Sequence, residues 1–539
     1  MKKLLLFVAV LATQFSFGQI QDGWAFFDDK ENVAAALADP ITILTQEALD
    51  RKALHGIVVD ERDVPVNENY ITQVKNATGI TVLAKSKWMN CVYIQGTEAD
   101  INNLLNLPFV SSVEFADKNL NLFPVSTGVT DKFQLENETS RIVYDYGQAA
   151  NQVEMIGIDH VHEQDFTGEG MIAAVLDSGF PNITSIGAFA HIVNENRLLG
   201  TYDFAGRQED VTGTGSHGTR TFSDMGGLLD GDFVGTSPNA SYYLFRTEFA
   251  PTEVPVEEAW WVEAMERADS LGVDVVNTSL GYQDYDNPNY DHSYDDLDGQ
   301  TTFAARGANL AFEKGMLLVT SAGNDGGGFT FVATPADAPG VLTVGAVDSN
   351  GNYASFSSIG PTVDGRVKPD VMAKGASAAV VDAAGFVTTS SGTSFSSPIM
   401  AGAVTSLWQA RPETTNAELM QIIRESSSLF DTPTDEMGYG IPNFEEALNA
   451  LNTFAIEEQL LDLNFAVYPN PTSDVINISF PKGIETATVT MYNVLGTQVM
   501  RSEVTTTSNR IDVSRLSTGV YVARIEHQNT SNSFKIIKK

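Results

Sequence analysis

The sequence predicts an α/β protein whose mainly parallel sheet has helices on both faces. From about Thr167 onward, apolar strand-like runs alternate with helical patterns, which is typical of a parallel sheet with crossover helices. A different order of elements before this region predicts a small α+β domain, and period-two alternation after it predicts a small all-β sandwich. The length of 539 residues exceeds that of one typical domain and agrees with such a division.

Composition and charge exclude several kinds of partner. The chain has 32 Lys and Arg residues against 69 Asp and Glu residues, so its formal net charge is −37. Such acidity argues against nucleic acid and anionic membranes as partners. No segment reaches the roughly 20 apolar residues that a transmembrane helix needs. The single cysteine, Cys91, excludes an intramolecular disulfide, and its place in an alternating run predicts a structural role.

Residues 1–18 have the features of a secretory signal peptide. Two lysines start the segment, residues 4–12 are apolar, and the small residues of 16–18 offer a cleavage site before Gln19. The apolar stretch is too short to span a bilayer, so we expect export and removal of this segment.

The domain that follows, residues 19–135, has a β-α-β-β-α-β order of elements. The expected strands are 55–59, 80–84, 91–95 and 110–115, and the expected helices are 67–76 and 98–107. No catalytic constellation occurs among these elements. We therefore expect a small open sandwich that has no catalytic function of its own and assists the domain that follows it in the chain.

The parallel sheet is expected within residues 136–452. Its candidate strands are 171–176, 241–245, 273–277, 316–320 and 341–347, and its longest candidate helix is 256–271. In an open α/β sheet, reactive groups gather beyond the carboxyl ends of the strands. The residues at those ends are therefore the first candidates for function.

Three polar residues stand at such positions. Asp177 ends the first strand, Asn324 follows another strand, and His217 lies at the start of a candidate helix. Taken singly, each of these residues is more often a turn former or a polar loop residue than a functional group. Their occurrence together in one α/β unit, in this order, favours a catalytic constellation.

Ser394 completes the set. It lies between a strand-like run, 385–389, and an apolar helical pattern. Free backbone N–H groups and the helix dipole favour negative charge at such a junction, and acyl transfer develops negative charge on oxygen. A serine there is usually only an N-cap, but in company with the aspartate and the histidine it predicts a nucleophile.

At this point the chain resembles the subtilisin-like serine proteases, the subtilases. The order Asp, His, Ser separates it from chymotrypsin-like enzymes and α/β-hydrolases. The resemblance implies a subtilisin-like fold and a secreted serine endopeptidase that hydrolyses peptide bonds of proteins. It covers roughly residues 140–452 and rests on Leu176-Asp177-Ser178-Gly179, Ser216-His217-Gly218-Thr219, Asn277-Thr278-Ser279-Leu280-Gly281, Ser321-Ala322-Gly323-Asn324 and Gly392-Thr393-Ser394.

The resemblance also implies a role for each residue. Ser394 would attack the scissile carbonyl, His217 would move its proton, and Asp177 would hold the imidazole. The side-chain amide of Asn324 would donate to the oxyanion together with the backbone N–H of Ser394. Small residues around Ala333 suggest a roomy apolar pocket. The other substrate-binding residues implied are Ser279, Leu280, Gly281, Ala322 and Gly323.

Two residues depart from the family pattern. Arg220 stands where many subtilases have a second histidine, and Phe395 replaces a methionine that is common after the serine. Neither belongs to the triad, so we expect an effect on substrate preference and none on the class of reaction.

The chemistry needs no cofactor, but subtilases often bind structural calcium. The loop from Asp284 to Asp298 is crowded with carboxylates, which are the ligands that calcium prefers. Because their spacing matches no known calcium motif, a solvated acidic loop is the alternative. The candidate ligands are Asp286, Asp291, Asp295, Asp296 and Asp298.

The family resemblance assigns the first domain as well. Residues 19–135 would be a propeptide that assists folding and then inhibits the enzyme from within the same chain. Protein or peptide substrates and this propeptide are thus the expected partners of the peptidase domain.

The C-terminal part is divided into a linker, 453–465, and a β-sandwich, 466–539. The sandwich resembles the type A C-terminal sorting domain of the type IX secretion system of Bacteroidota, through its Pro469-Asn470-Pro471 opening, its Leu-Ser-Thr-Gly-Val-Tyr segment and its Lys-rich end. This resemblance implies Sec export, passage across the outer membrane with the type IX machinery, and a location outside the cell or on its surface. A binding module retained in the mature protein is the alternative.

Two other functions stay open at the level of sequence. One is a catalytically inactive subtilase scaffold that acts as a surface binding or adhesion protein, and the other is a peptide ligase or a highly restricted processing protease. A fluorophosphonate distinguishes the first of them, because it labels only an activated serine.

Overall fold

The structure is a computed structural model that describes residues 19–121, 144–249, 251–462, 465–481, 484–493, 497–527 and 530–539. The predicted signal peptide, residues 1–18, and the junction of the first two predicted domains lie outside the described residues. The chain forms two compact units that divide near Leu448.

The first unit begins with a small α+β domain. Its strands are β1 (Ile20–Phe27), β2 (Thr81–Ser86), β3 (Cys91–Thr97) and β4 (Val110–Phe115), and its helices are α1 (Val33–Ala38), α2 (Gln46–Leu54), α3 (Glu68–Lys75) and α4 (Glu98–Asn103). The strands form an antiparallel sheet in the order β2-β3-β1-β4.

The predicted elements from residue 67 onward are present, but the predicted first strand is wrong and the helices α1 and α2 were not predicted. The segment 55–59 is not a strand, and β1 takes the central place in the sheet instead. The ring of His55 stacks on Trp408 with centroids 5.6 Å apart, so this segment packs against the larger domain and not within the sheet. Tertiary packing has overridden the strand propensity of the apolar run.

The larger domain holds the predicted parallel sheet. Its strands are β5 (Ile172–Asp177), β6 (Leu198–Asp203), β7 (Leu228–Leu229), β8 (Phe233–Val234), β9 (Ser241–Arg246), β10 (Val275–Thr278), β11 (Leu317–Ser321), β12 (Val341–Val347), β13 (Val371–Lys374), β14 (Ala378–Val381) and β15 (Val387–Ser390). Its helices are α5 (Ala150–Glu154), α6 (Ile158–His162), α7 (Ala190–Asn194), α8 (His217–Gly226), α9 (Val256–Ser270), α10 (Phe303–Glu313), α11 (Thr393–Gln409), α12 (Asn416–Glu425) and α13 (Phe444–Asp462).

Seven strands form one parallel sheet in the order β13-β12-β11-β10-β5-β9-β6. The predicted α/β class is thereby confirmed, and the five predicted strands and the long predicted helix are all present. The strands β6 and β13 were not predicted. Both lie at the edges of the sheet, where β6 is half exposed and β13 is only four residues long, so neither has a long apolar run in sequence.

The small domain and the larger domain share one hydrophobic core. Trp24 of β1 stacks on Phe303 of α10 with ring centroids 4.8 Å apart. Cys91 is buried in the same core, beside residues of α9 and α10 such as Trp261. Burial raises the pKa of the Cys91 thiol well above its ordinary value, which agrees with the predicted structural role.

The second unit is the predicted all-β domain. Its strands are β16 (Ala466–Tyr468), β17 (Val475–Ser479), β18 (Thr486–Asn493), β19 (Gln498–Thr505), β20 (Arg510–Asp512), β21 (Gly519–His527) and β22 (Thr530–Lys538). They form two antiparallel sheets, β16-β17-β20 and β19-β18-β21-β22. Apolar residues of both sheets, such as Ile476 and Ala523, share one core.

The expected linker, 453–465, is for the most part not a loop. Helix α13 continues through it to Asp462. The segment 453–462 contains neither glycine nor proline and is rich in residues of good helix propensity, which accounts for the difference. In the described parts of the chain, no helix is both long enough and apolar enough to cross a membrane.

Candidate active site

The structure places the predicted catalytic residues at the carboxyl edge of the parallel sheet. Asp177 is the last residue of β5, and Asn324 follows the end of β11 by three residues. The strand between them, β10, leads directly into Ser279. His217 is the first residue of α8 and Ser394 the second residue of α11.

Asp177 and His217 form a close pair. The imidazole Nδ1 of His217 lies 2.9 Å from each carboxylate oxygen of Asp177. Asp177 is fully buried and also accepts hydrogen bonds from the Ser178 backbone N–H at 2.7 Å and the Thr221 hydroxyl at 3.1 Å. Because a carboxylate only accepts, the proton of the neutral imidazole is on Nδ1, which leaves Nε2 free to take up another.

The pKa of His217 is set by two opposing effects. Burial lowers the pKa of the imidazole, but the charge of Asp177 and its hydrogen bond raise it by more. The neighbouring guanidinium of Arg220 lowers it slightly, and the net result is a pKa above the ordinary value of 6.5. The aspartate therefore stabilises the imidazolium, as a general base requires.

Ser394 lies in the first turn of α11 and is largely buried. Its Oγ donates to the carbonyl oxygen of Ser279 at 3.4 Å, and the Ser279 hydroxyl donates to the carbonyl oxygen of Ser394 at 2.9 Å. Within the described residues the Ser394 hydroxyl makes no hydrogen bond to His217. Such bonds are often long in unliganded sites and tighten when a substrate binds.

Asn324 is oriented by the residue before the serine. Its Oδ1 accepts from the backbone N–H of Thr393 at 2.9 Å and from the Thr393 hydroxyl at 3.2 Å. Since a backbone N–H can only donate, the amide oxygen faces Thr393, and the Nδ2 group is left to donate elsewhere. The Asn324 side chain is exposed, so this donor is available to a ligand.

The predicted substrate-binding residues lie on three segments of the chain, at 279–281, 322–323 and Ala333. Gly281 approaches Ala333 so closely that a Cβ on the glycine would lie 3.3 Å from the alanine Cβ. The Ala333 N–H donates to the carbonyl oxygen of Ala322 at 3.4 Å. Gly323 is held through its carbonyl oxygen, which accepts from the Thr393 hydroxyl at 3.1 Å. Leu280, the middle residue of the segment 279–281, is half exposed.

Several supporting residues were not predicted. Thr221 stands four residues after His217 on α8, and that helical spacing puts both side chains on the Asp177 side. Asn277 joins β10 to α11, since its Oδ1 accepts from the Ser397 hydroxyl at 2.8 Å and its Nδ2 donates to the Ser279 hydroxyl at 3.1 Å. The spacing on α8 could have identified Thr221, and Asn277 begins one of the motifs of the family resemblance, but no local pattern indicates its contact with α11.

The structure does not bring the five predicted calcium ligands together. Asp291 and Asp298 accept hydrogen bonds from backbone N–H groups of their own loop, and Asp296 pairs with the Lys118 ammonium at 2.7 Å. Asp286 and Asp295 are exposed. Among the residues that the structure describes, the acidic side chains grouped within 4.8 Å of one another are a different set: Glu248, Glu253 and Glu257.

Three family models match successive parts of the chain. The family model for subtilases matches residues 168–440, a model for the peptidase S8 propeptide domain of Bacteroidota matches residues 22–134, and a model for the secretion-system C-terminal sorting domain matches residues 466–539.

Curated serine proteases are similar in sequence over part of the chain. Serine protease AprX of Bacillus subtilis is 27% identical over 317 residues, which are 53% of this chain and 67% of that protein. Subtilisin E of the same species is 27% identical over 319 residues, which cover 58% and 74% of the two chains. The human membrane-bound transcription factor site-1 protease is 28% identical over 316 residues, which cover 56% and 27%.

Proposed function

Because this chain belongs to the subtilase family and is a subtilisin-like serine protease, we propose that it cleaves proteins through a triad of Asp177, His217 and Ser394. The observation that carries the proposal is the pair of 2.9 Å contacts between the His217 Nδ1 and the buried Asp177 carboxylate. This pair lies at the strand edge that also bears the serine and Asn324. An Asp–His pair beside a helix-borne serine has the geometry of nucleophilic catalysis.

The proposed reaction has two halves. His217 Nε2 takes the hydroxyl proton as Ser394 Oγ bonds to the substrate carbonyl carbon, and Asp177 stabilises the imidazolium. The C–N bond then breaks, the imidazolium gives its proton to the leaving amine, and an acyl-serine remains. Water repeats the attack with His217 as base and releases the carboxylic acid. The Asn324 amide and the Ser394 backbone N–H donate to the oxyanion in both halves.

Substrate would be held as an extended strand between the two neighbouring segments. Residues 279–281 and 322–323 lie at the edge of the site, where an extended substrate could be recognised by strand addition. Gly281 lies so close to Ala333 that no larger side chain of the protein fits between them, at the bottom of the proposed pocket. We infer a preference set by an apolar pocket with small walls.

The small N-terminal domain is proposed to act as an inhibitory and folding-assisting propeptide, which makes the chain a zymogen. The carboxylate of Glu266 on α9 accepts from the Ser86 hydroxyl at 2.6 Å and from the backbone N–H groups of Lys87 and Trp88 at 2.9 and 3.0 Å. Helix α9 thus satisfies donors of the small domain that would otherwise be unpaired, so each domain completes the other.

Charged groups between the two domains are also paired. Lys52 of the small domain lies 2.7 Å from Asp269, and Lys314 of the larger domain lies 2.8 Å from Asp63. All four side chains are almost completely buried. Separation of the domains would leave Asp269 and Lys314 without these partners, which supports a tightly held propeptide.

The sorting domain indicates export of the protein to the cell surface or the extracellular space. We propose that export proceeds through the Sec pathway and then across the outer membrane with the type IX machinery. The sorting domain, residues 466–539, would be the segment that this machinery recognises and removes.

The test compares the purified precursor with its Ser394→Ala variant in casein hydrolysis, with mass spectrometry of the products and of the enzyme. Wild type is expected to cleave casein and to lose residues before the larger domain, and Ser394→Ala is expected to do neither. Ser396→Ala is the matched control, because that buried hydroxyl donates only to the carbonyl oxygen of Thr393 in the same helix.

Labelling by a fluorophosphonate gives a second, independent result. Wild type and Ser396→Ala should be labelled at Ser394 once the small domain has been released. If wild type hydrolyses no casein and takes up no label with that domain gone, the proposed activity is wrong and the inactive-scaffold alternative gains support.

A further inference from the structure

Arg246 is a buried cation directly behind the proposed triad. It is the last residue of β9 and is only 6% exposed. In the register of the sheet, Arg246 stands opposite Asp177 of β5 on one side and opposite Asp203 of β6 on the other. One guanidinium is therefore placed between the ends of two strands, one of which carries the aspartate of the triad.

The side chain of Arg246 connects three segments of the site. Its Nε donates to the carbonyl oxygen of Ser178 at 3.1 Å, and its Nη1 pairs with Asp203 Oδ2 at 2.7 Å. A Cβ placed on Gly213 would lie 3.1 Å from Arg246 Cδ, so the loop that leads to His217 packs against the same side chain. Arg246 thus touches both chain segments that present the Asp–His pair.

The hydrogen bond from Arg246 to Ser178 connects Arg246 to the triad through a single residue. The backbone N–H of Ser178 donates to Asp177 Oδ1 at 2.7 Å, and its hydroxyl donates to the same oxygen at 3.2 Å. Fixing the Ser178 carbonyl fixes the peptide plane that follows this residue. The Ser178 N–H belongs to the preceding peptide plane, so Arg246 holds one end of the Ser178 turn while Asp177 Oδ1 holds the other.

A simple structural ion pair accounts for only part of this arrangement. Arg246 Nη2 is buried and has no hydrogen-bond partner among the described residues. A buried donor without a partner destabilises the fold, and such costs concentrate at functional sites. The planar fork of arginine can bond a carbonyl and a carboxylate at once, whereas a lysine ammonium lacks this fixed geometry.

We propose that Arg246 is a positioning residue, which holds the Ser178 turn so that Asp177 faces Nδ1 of His217. The inference rests on the proposed triad and goes beyond it, since Arg246 touches neither substrate nor any reacting atom. The Asp203 carboxylate fixes the guanidinium from the other side. Loss of Arg246 should then impair the chemical step and leave substrate binding intact.

The test measures kcat and KM on a short chromogenic peptide for Arg246→Met, Arg246→Lys and Arg424→Met. Each variant is made as the full precursor and processed by a trace of tagged wild-type enzyme, which is then removed. Arg424 is the matched control, because it pairs with the buried Asp370 at 2.5 Å, next to the amino end of β13 and thus at the opposite edge of the sheet.

Arg246→Met is expected to lower kcat about 10- to 100-fold with KM changed less than about twofold, because small misplacements of catalytic groups have effects of this size. Arg246→Lys keeps the buried positive charge, so this variant is expected to fold. Its kcat is expected to lie between those of wild type and Arg246→Met. Arg424→Met is expected to lose thermal stability while its kcat stays within about twofold of wild type.

Three results would overturn the inference. Equal kcat for Arg246→Met and Arg424→Met would make Arg246 a structural residue. A raised KM at unchanged kcat would place it in substrate binding. If Arg246→Met does not fold, a kcat of Arg246→Lys equal to that of wild type would count against the inference in the same way. An inert wild-type enzyme is distinguishable from all of these, because it would refute the proposed function itself.

Discussion

Lys52 offers a direct measure of how strongly the small domain is held. Its ammonium lies between two carboxylates, 2.7 Å from Asp269 of the larger domain and 3.4 Å from Asp63 of its own domain. All three side chains are at most 1% exposed. The perturbation is Lys52→Met, which keeps most of the side-chain volume and removes the charge.

The expected loss of stability depends on which partners the two carboxylates keep in the variant. Breaking a buried ion pair costs about 3–5 kcal/mol when a charge is left without a partner. Here Asp269 keeps Arg51 at 2.5 Å and Asp63 keeps Lys314 at 2.8 Å. Burial lowers the pKa of Lys52, although the two carboxylates raise it. The cost of desolvation therefore offsets part of the pairing energy. We therefore expect a loss of about 2–3 kcal/mol in the free energy of unfolding.

The assay is thermal unfolding of the precursor in the Ser394→Ala background, so that self-cleavage cannot interfere. Lys52→Met should lower the midpoint by about 2–3 °C, because an unfolding entropy of about 2.1 cal/mol/K per residue makes each kcal/mol worth only about 1 °C in a unit of this size. Arg62→Met is the control, because Arg62 pairs with Glu313 at 2.7 Å with both side chains well exposed, and exposed pairs contribute about 0–1 kcal/mol. Equal midpoints for the two variants would refute the reasoning, since burial would then make no difference to the pair.

Three further predictions concern catalysis. Asn324→Ala should lower kcat about 10²- to 10³-fold with little change in KM, and a change in KM alone would contradict its oxyanion role. The plot of kcat/KM against pH should fall on its acid side as His217 becomes protonated. Because the pKa of His217 is raised, this fall should have its midpoint above about 6.5, and a midpoint at or below that value would contradict the ion pair with Asp177. Ala333→Leu should raise KM for peptides with a large side chain before the scissile bond more than for peptides with alanine there; equal changes would show that Ala333 does not line the pocket.

The residues proposed for the triad, and Asn324, could be selected from the sequence because each lies in a short motif at the end or the start of an element. Asp177 ends an apolar strand and Asn324 follows one, whereas His217 and Ser394 lie in the first turns of helices. Arg246 and Asp203 could not be predicted in the same way. Their contact depends on β9 lying between β5 and β6, and strand order is not visible in the sequence of any one strand.

Packing between domains explains the remaining differences. The run at 55–59 has the composition of a strand, but it is used against the larger domain, where His55 meets Trp408. In the acidic loop at 284–298, hydrogen bonds of the loop itself and Lys118 of the small domain contact three of the candidate carboxylates, and calcium binding there stays a prediction. Trp408 and Lys118 lie far in sequence from the residues that they contact, so a local pattern could not reveal either contact.

The burial of Cys91 between the two domains has a practical consequence. The chain contains one cysteine, so every thiol signal from the protein comes from that position. While the small domain is seated on α9 and α10, a maleimide or disulfide reagent meets no accessible sulfur, and the neutral thiol is unreactive. Departure of the small domain would uncover it. The native chain therefore contains its own reporter of activation, and modification kinetics can time that step without any added label.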